Sequence, residues 1–114
     1  MNRSPITTHI LDTATGKPAA NVPVKLYKQV NLDWEFITDG TTDEDGRIVD
    51  WIDTNTDIEF ATYKLIFDLD VYFSDQPKPA FYPTAEICFR LQDKNHHHIP
   101  LLLSPFGFST YRGS

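Results

Sequence analysis

The chain has 114 residues, with 40% hydrophobic side chains and a formal net charge of -6. This length allows one sizeable hydrophobic core, so we expect a single domain over residues 1–114. The ten basic side chains are scattered among sixteen acidic ones, which argues against nucleic-acid binding because that depends on clustered Lys and Arg. The single cysteine, Cys88, excludes a disulfide within the chain and a zinc site made of several cysteines.

Targeting and membrane segments are not predicted. Residues 1–5 contain one basic side chain with no apolar run after it, and the apolar run Leu101–Leu103 is only three residues long. We therefore expect neither a signal peptide nor a membrane span. The expected location is cytoplasmic, or periplasmic if a leader has been removed from the chain.

Glycine and proline recur at short intervals and separate segments rich in Val, Ile, Thr, Tyr and Phe. This rhythm is typical of an all-β sandwich or barrel. The alternation is clearest in Thr84–Leu91, where Ala85, Ile87, Phe89 and Leu91 share one face. Weaker strands are predicted over residues 6–11, 22–30, 34–42, 48–52 and 62–67.

One short helix is predicted after the fifth of these segments. Asp68 is a suitable N-cap, and Leu69, Tyr72 and Phe73 are spaced to share a face. The run Gln76-Pro77-Lys78-Pro79 prevents any continuation of the helix. A helix of about two turns must be held by packing rather than by its own propensity.

A strand from His96 to Leu103 is predicted to be apolar on both faces. Alternation places His97, Ile99, Leu101 and Leu103 on one side, and His96, His98, Pro100 and Leu102 on the other. A strand in an isolated sandwich normally has one wet face. The pattern therefore predicts that a second subunit covers the other face, in an assembly of closed symmetry.

The run His96-His97-His98 also permits a metal hypothesis, because His-rich tracts bind Zn, Cu or Ni. Only His96 and His98 share a strand face, however, and no acidic or cysteine ligand stands at motif spacing. The alternative is that one imidazole on this face acts as an acid or base. Of the two interpretations we favour acid–base chemistry and predict no metal site.

Two further residues are ambiguous when taken alone. The segment Asp43-Glu44-Asp45-Gly46 fails the calcium-loop pattern and is interpreted as a hairpin turn, followed by Arg47. Arg47 could be a solvated charge or part of a site. His9 lies in a predicted strand with Thr7 and Leu11 on its face, and it could be a hydrogen-bonded strand residue or a catalyst.

Three segments in order, taken together, resemble the 5-hydroxyisourate hydrolases, the enzymatic branch of the transthyretin superfamily. They are Thr8-His9-Ile10-Leu11-Asp12-Thr13-Ala14, the turn Thr42–Arg47, and His98–Pro105 continued by Ser109–Ser114. The resemblance covers essentially the whole chain. Where the family usually has His-Tyr-His, this chain has His97 in the middle, and Phe106 and Phe108 stand where tyrosines are frequent.

The resemblance implies a transthyretin-like two-sheet β-sandwich of about eight strands with one short α-helix. It also implies a homotetramer with active sites in channels at subunit contacts. The implied catalytic residues are His9, Arg47, His98 and Ser114, and the implied substrate-binding residues are His9, Arg47, Tyr111 and Arg112.

The implied activity is hydrolysis of 5-hydroxyisourate to 2-oxo-4-hydroxy-4-carboxy-5-ureidoimidazoline in urate degradation. His9 and His98 would activate the water, and Arg47 would hold the substrate's charge through its planar fork of donors. The scheme needs no metal or cofactor, and no membrane or nucleic-acid partner. The alternative is a non-enzymatic carrier of the transthyretin type, a branch that lacks His9, Arg47, His98 and the Tyr-Arg-Gly-Ser end.

Overall fold

The computed structural model describes residues 4–53 and 58–113. In chain order the elements are β1 (Ile6–Asp12), β2 (Lys17–Pro18), β3 (Pro23–Val30), β4 (Asp33–Thr41), β5 (Arg47–Ile48), β6 (Ala61–Asp68), α1 (Leu69–Phe73), β7 (Thr84–Leu91), β8 (His97–Ser104) and β9 (Gly107–Thr110). No helix in these two ranges is long and apolar enough to cross a membrane.

The strands form two sheets. One has the order β2-β1-β8-β9, with β5 paired to β1, and the other has the order β4-β3-β6-β7. The pair β1 and β8 is parallel, whereas the other pairs are antiparallel. The predicted two-sheet sandwich with one short helix is therefore confirmed.

The core lies between the two sheets and follows from the alternation of the strands. In β8, Ile99, Leu101 and Leu103 are buried on the inner face, as their spacing predicts. They meet inward side chains of the other sheet, including Leu26 and Phe67, both of which are completely buried. Each such side chain stabilises the fold by about 1.5–3 kcal/mol relative to an exposed position.

The helix α1 begins where its cap predicts. The side chain of Asp68 accepts a hydrogen bond from the backbone N–H of Val71, and Leu69 and Phe73 are buried against the core. Tyr72 donates its hydroxyl proton to Asp12 Oδ2 at 2.6 Å. Burial, and secondarily this hydrogen bond, raise the pKa of the Tyr72 phenol well above its usual range. The helix is thus tied to the end of β1.

Two short strands differ from the prediction. A strand was expected over residues 48–52, but β5 contains only Arg47 and Ile48. After Ile48 the strand ends, and Trp51 and Ile52 lie in a bend. The segment stays close to the start of β1, because the carbonyl of Val49 accepts from the N–H of Ser4 and the indole N–H of Trp51 donates to the carbonyl of Ile6. The two-residue strand β2, which pairs with the end of β1, was not predicted because it is too short to show alternation.

Candidate active site

The outer face of the five-stranded sheet carries the candidate site. Inner-face residues of β1 such as Ile6 and Ile10 are completely buried in the core, so the alternate residues Thr7, His9 and Leu11 point away from it. His9 is half-buried, as is Leu11. The imidazole predicted from the sequence is therefore presented on a sheet surface rather than inside the sandwich.

Arg47 reaches this face through the preceding turn. Asp43 Oδ1 accepts from the backbone N–H groups of Asp45 and Arg47 at 2.9 and 3.0 Å, and Gly46 has a φ of +74°. A Cβ at Gly46 would lie 2.5 Å from the carbonyl oxygen of Ile10, so this position requires glycine. The predicted turn with its positive-φ glycine is confirmed, but it is not a hairpin, because β4 belongs to the four-stranded sheet and β5 pairs with β1 in the other sheet. The turn links the two sheets and delivers Arg47 directly to the edge of β1.

The register then sets Arg47 beside His9. These two residues are direct partners in the antiparallel β1–β5 pair, and Ile48, next to Arg47, is buried on the inner side. Opposed residues in a ladder point to the same face, with Cβ atoms about 4.5–5.5 Å apart. Arg47 is exposed, so its guanidinium extends over the same outer surface as the His9 ring.

His98 lies on the strand at the other side of β1. In the parallel β1–β8 pair, Thr7 is the partner of His98 and His9 is the partner of Pro100. A strand spacing of about 4.8 Å and a rise of about 3.3 Å per residue put the Cα atoms of His9 and His98 roughly 8 Å apart. The structure therefore brings His9, Arg47 and His98 together in one row across three strands.

Thr7 is a member of this cluster that the sequence argument did not identify. Its Oγ1 lies 2.8 Å from His98 Nδ1 and 2.7 Å from His96 Nε2, and the residue is completely buried. The rings of His96 and His98 are stacked, with centroids 6.1 Å apart and planes 26° apart. In the sequence, the membership of Thr7 in the site was indicated by its position two residues before His9, on the same strand face.

The C-terminal segment lies beside β8, on the side away from β1, where Gly113 forms an antiparallel bridge with His98. The backbone N–H of Gly113 donates to the carbonyl of His98 at 2.8 Å. A Cβ at Gly113 would lie 2.6 Å from His98 Cδ2 and 3.1 Å from Pro100 Cγ, so the tail passes directly against the imidazole. Ser114, for which a catalytic role was predicted, lies outside the described residues.

Tyr111 and Arg112 line a groove of about 380 Å³ at the open edge of the sandwich. His98 also contributes to this groove, but His9 and Arg47 do not. Within this chain, the two predicted substrate-binding residues of the tail are therefore near His98 and separate from the His9–Arg47 pair. Both side chains are exposed.

His97 points into the sandwich, as alternation predicts. It is 3% exposed, and its Nδ1 lies 2.8 Å from the carbonyl oxygen of Asn95. The unusual residue in the His-His-His run is thus on the opposite side of the sheet from His98. Across residues 4–53 and 58–113, no group of three His, Cys, Asp or Glu side chains is placed to hold a metal ion.

The site combines two imidazoles and one guanidinium on an outward-facing surface. Imidazoles can take up and return a proton near neutral pH, and a guanidinium can hold a carbonyl oxygen or an anionic nitrogen with two parallel hydrogen bonds. The neighbouring side chains Leu11, Pro100 and Leu102 are apolar and at least half-buried. This chemistry suits attack of water on a polarised carbonyl.

Comparison with known proteins shows the family of the chain. A model of the HIUase/Transthyretin family matches residues 6–113. A probable 5-hydroxyisourate hydrolase of Caenorhabditis elegans is 40% identical over 110 residues, covering 96% of this chain and 81% of the relative. The mouse 5-hydroxyisourate hydrolase is 39% identical over 114 residues, covering 97% of this chain and 96% of the relative.

Solved structures of two kinds are similar to the chain. The 5-hydroxyisourate hydrolase of Klebsiella pneumoniae aligns with a TM-score of 0.83 and 32% identity over 100% of both chains. Sea bream transthyretin, in complex with thyroxine, aligns with a TM-score of 0.88 and 30% identity over 96% of this chain and 94% of its own. The architecture is therefore the transthyretin fold, and the chain belongs to the HIUase/Transthyretin family.

Proposed function

We propose that this protein is a 5-hydroxyisourate hydrolase acting in urate degradation. The observation that carries the proposal is the row formed by Arg47, His9 and His98 on the outer face of adjacent strands. The names of the nematode, mouse and Klebsiella relatives support the same substrate. The product would be 2-oxo-4-hydroxy-4-carboxy-5-ureidoimidazoline.

In the proposed reaction, the oxygen of a water molecule bonds to a ring carbonyl carbon and the ring C–N bond breaks. One imidazole of the His9 and His98 pair takes a proton from the water, and that proton is returned to the leaving nitrogen. Arg47 stabilises the negative charge that develops on the carbonyl oxygen or the ring. The proposed reaction uses water, the substrate and the side chains of this chain.

The tail has a supporting role in the proposal. Tyr111 and Arg112, which line the groove beside His98, would hydrogen-bond the flat polar ring, and Ser114 would complete the pocket. The close passage of Gly113 over the His98 ring supports this assignment, because it fixes the tail relative to the imidazole. Correct orientation of the ring contributes to the rate by holding the reacting atoms in line.

We further propose a homotetramer in which this sheet face meets the same face of another copy. The partly exposed apolar side chains Leu11 and Leu102 lie near the histidines on a surface that water would otherwise cover. A facing copy would enclose the row of Arg47, His9 and His98 and exclude water from it. The electrostatic interactions of these side chains with the substrate would then be stronger. Light scattering tests this directly, since a monomer with full activity would contradict it.

The sea bream transthyretin, which has the same fold, was solved in complex with thyroxine, so a carrier is the competing function. The discriminating experiment adds the purified protein to freshly generated 5-hydroxyisourate and follows its ultraviolet decay against the spontaneous rate. We expect acceleration by the wild type, and a loss of about 10²- to 10⁴-fold on replacing His9 or His98 singly with Asn. A wild type that leaves the decay unchanged while binding thyroxine would establish the carrier instead.

A further inference from the structure

The hydroxyl of Thr7 lies between two imidazole nitrogens. Its Oγ1 is 2.8 Å from Nδ1 of His98 and 2.7 Å from Nε2 of His96, and no part of Thr7 is exposed. Both distances are within the range of strong hydrogen bonds. Thr7 is also the direct strand partner of His98, so the backbone holds the hydroxyl in place against that ring.

A hydroxyl has one proton to donate, whereas a neutral imidazole has one N–H and one acceptor nitrogen. When Thr7 bonds to both rings, its proton goes to one nitrogen and its oxygen accepts from the other. Two orders are possible. Either His98 donates from Nδ1 and Thr7 donates to His96 Nε2, or His96 donates from Nε2 and Thr7 donates to His98 Nδ1.

The two orders have opposite consequences for catalysis. In the first, the Nε2 atom of His98 has no proton and can act as a base. In the second, Nε2 carries the proton of the neutral ring and cannot accept another. The order of the hydrogen bonds that Thr7 makes with His98 and His96 therefore decides whether the His98 imidazole can take a proton from water.

We propose that Thr7 and His96 are positioning residues that hold His98 in its Nδ1–H tautomer, leaving Nε2 as the base of the proposed hydrolysis. This inference rests on the proposed function. In the step concerned, one proton moves from water to Nε2, and the Nδ1–H of the resulting imidazolium continues to donate to Thr7. His96 stays neutral and accepts from the Thr7 hydroxyl throughout.

The proposed function selects His96 as the acceptor, because hydrolysis requires an unprotonated Nε2 on His98, and both distances fit either order. The stacked arrangement of the two rings, 26° from parallel, places His96 on the same side of the sheet as His98. Because Thr7 is completely buried, its hydroxyl proton is directed to a protein acceptor. A third group that orients the base in this way is also a recurring feature of His-based catalytic sites.

The first test determines the tautomer of His98 and does not require any enzymatic reaction. Long-range proton–nitrogen NMR spectra of the histidine rings, with His98 assigned by loss of its signals in His98→Asn, distinguish Nδ1–H from Nε2–H. We expect neutral His98 as Nδ1–H in the wild type and in Thr7→Ser, and loss of this preference in Thr7→Val. A wild type with His98 as Nε2–H would overturn the assignment.

The second test is kinetic and uses Thr8 as the matched control. Thr8 is the adjacent buried threonine, but its hydroxyl donates to the carbonyl of Ile99 at 2.7 Å on the inner face. For Thr7→Val we expect kcat to fall about 10- to 100-fold with little change in KM, as for other residues that orient a functional histidine. Thr7→Ser should restore most of kcat, and Thr8→Val should keep it.

A double-mutant cycle assigns the role of His96. If His96 acts only through Thr7, then His96→Phe lowers kcat in the wild-type background and adds no further loss to Thr7→Val. A folded Thr7→Val variant with wild-type kcat, or fully additive effects of the two substitutions, would overturn the proposal. Absence of hydrolysis by the wild type would instead overturn the proposed function. The NMR experiment would still determine whether Thr7 holds His98 in its Nδ1–H tautomer.

Discussion

Replacement of Gly113 by alanine should damage catalysis far more than folding. The added Cβ would lie 2.6 Å from Cδ2 of His98 and 3.1 Å from Cγ of Pro100. Non-bonded carbon atoms rest about 3.5–4.0 Å apart, so the tail or the imidazole must move by about 1 Å. A misplacement of about 1 Å at a reacting group lowers the rate by about 10²-fold.

The expected cost in stability is small, because the backbone hydrogen bond from Gly113 to His98 is worth about 0.5–1.5 kcal/mol. We therefore expect Gly113→Ala to lower kcat/KM about 100-fold while the free energy of unfolding in urea falls by no more than about 1.5 kcal/mol. Gly107→Ala is the matched control, since its Cβ would meet only Ser104 Oγ at 3.9 Å. Equal activity of the two variants would show that the tail position beside His98 does not affect catalysis.

Three further predictions concern single groups. Arg47→Lys should lower kcat/KM by at least about 10-fold in the ultraviolet assay, because a lysine cannot reproduce the two parallel donors; full activity would exclude a bidentate role. Tyr72→Phe should lower the free energy of unfolding by about 1–3 kcal/mol, because it removes the donor to the buried Asp12 carboxylate; an unchanged urea midpoint would contradict this. Burial raises the pKa of Tyr63 from 10.0 to about 12. As pH rises, the phenol therefore ionises in the unfolded chain before it ionises in the folded protein, and the free energy of unfolding should fall between pH 10.0 and about 12. Tyr63→Phe should lessen that decline, as measured by urea unfolding at several alkaline pH values.

Much of the fold follows from local patterns. The alternation in Thr84–Leu91 and in the run after His96 correctly assigns inner and outer faces, because a strand that buries one side cannot shift by one residue without exposing its core side chains. Asp68 marks the start of α1 because its carboxylate can accept from the first helical turn. The strand β2 was missed because two residues are too few for a pattern. The strand β5 was predicted too long because Trp51 and Ile52 also pack against the core, although they pair in neither sheet.

The site could be predicted only in part. The residue types of His9, Arg47 and His98 were evident, but their proximity depends on strand register, which no local pattern specifies. The partnership of Arg47 with His9 follows from where the Asp43–Gly46 turn ends, and the role of Thr7 depends on the parallel pairing of β1 with β8. The resemblance to the hydrolases indicated which residues form the site, whereas the pairing of β1 with β5 and β8 determines how they are arranged.

Two neighbouring histidines distinguish hydrolysis on the outer face of the five-stranded sheet from hydrolysis elsewhere. His98 points outward toward Thr7, whereas His97 points into the sandwich. In the assay with freshly generated 5-hydroxyisourate, His98→Asn should lose about 10²- to 10⁴-fold in rate. His97→Tyr, which introduces the residue usual in the hydrolases, should retain activity close to the wild type. Full activity in His98→Asn, or a comparable loss in a folded His97→Tyr variant, would contradict the account.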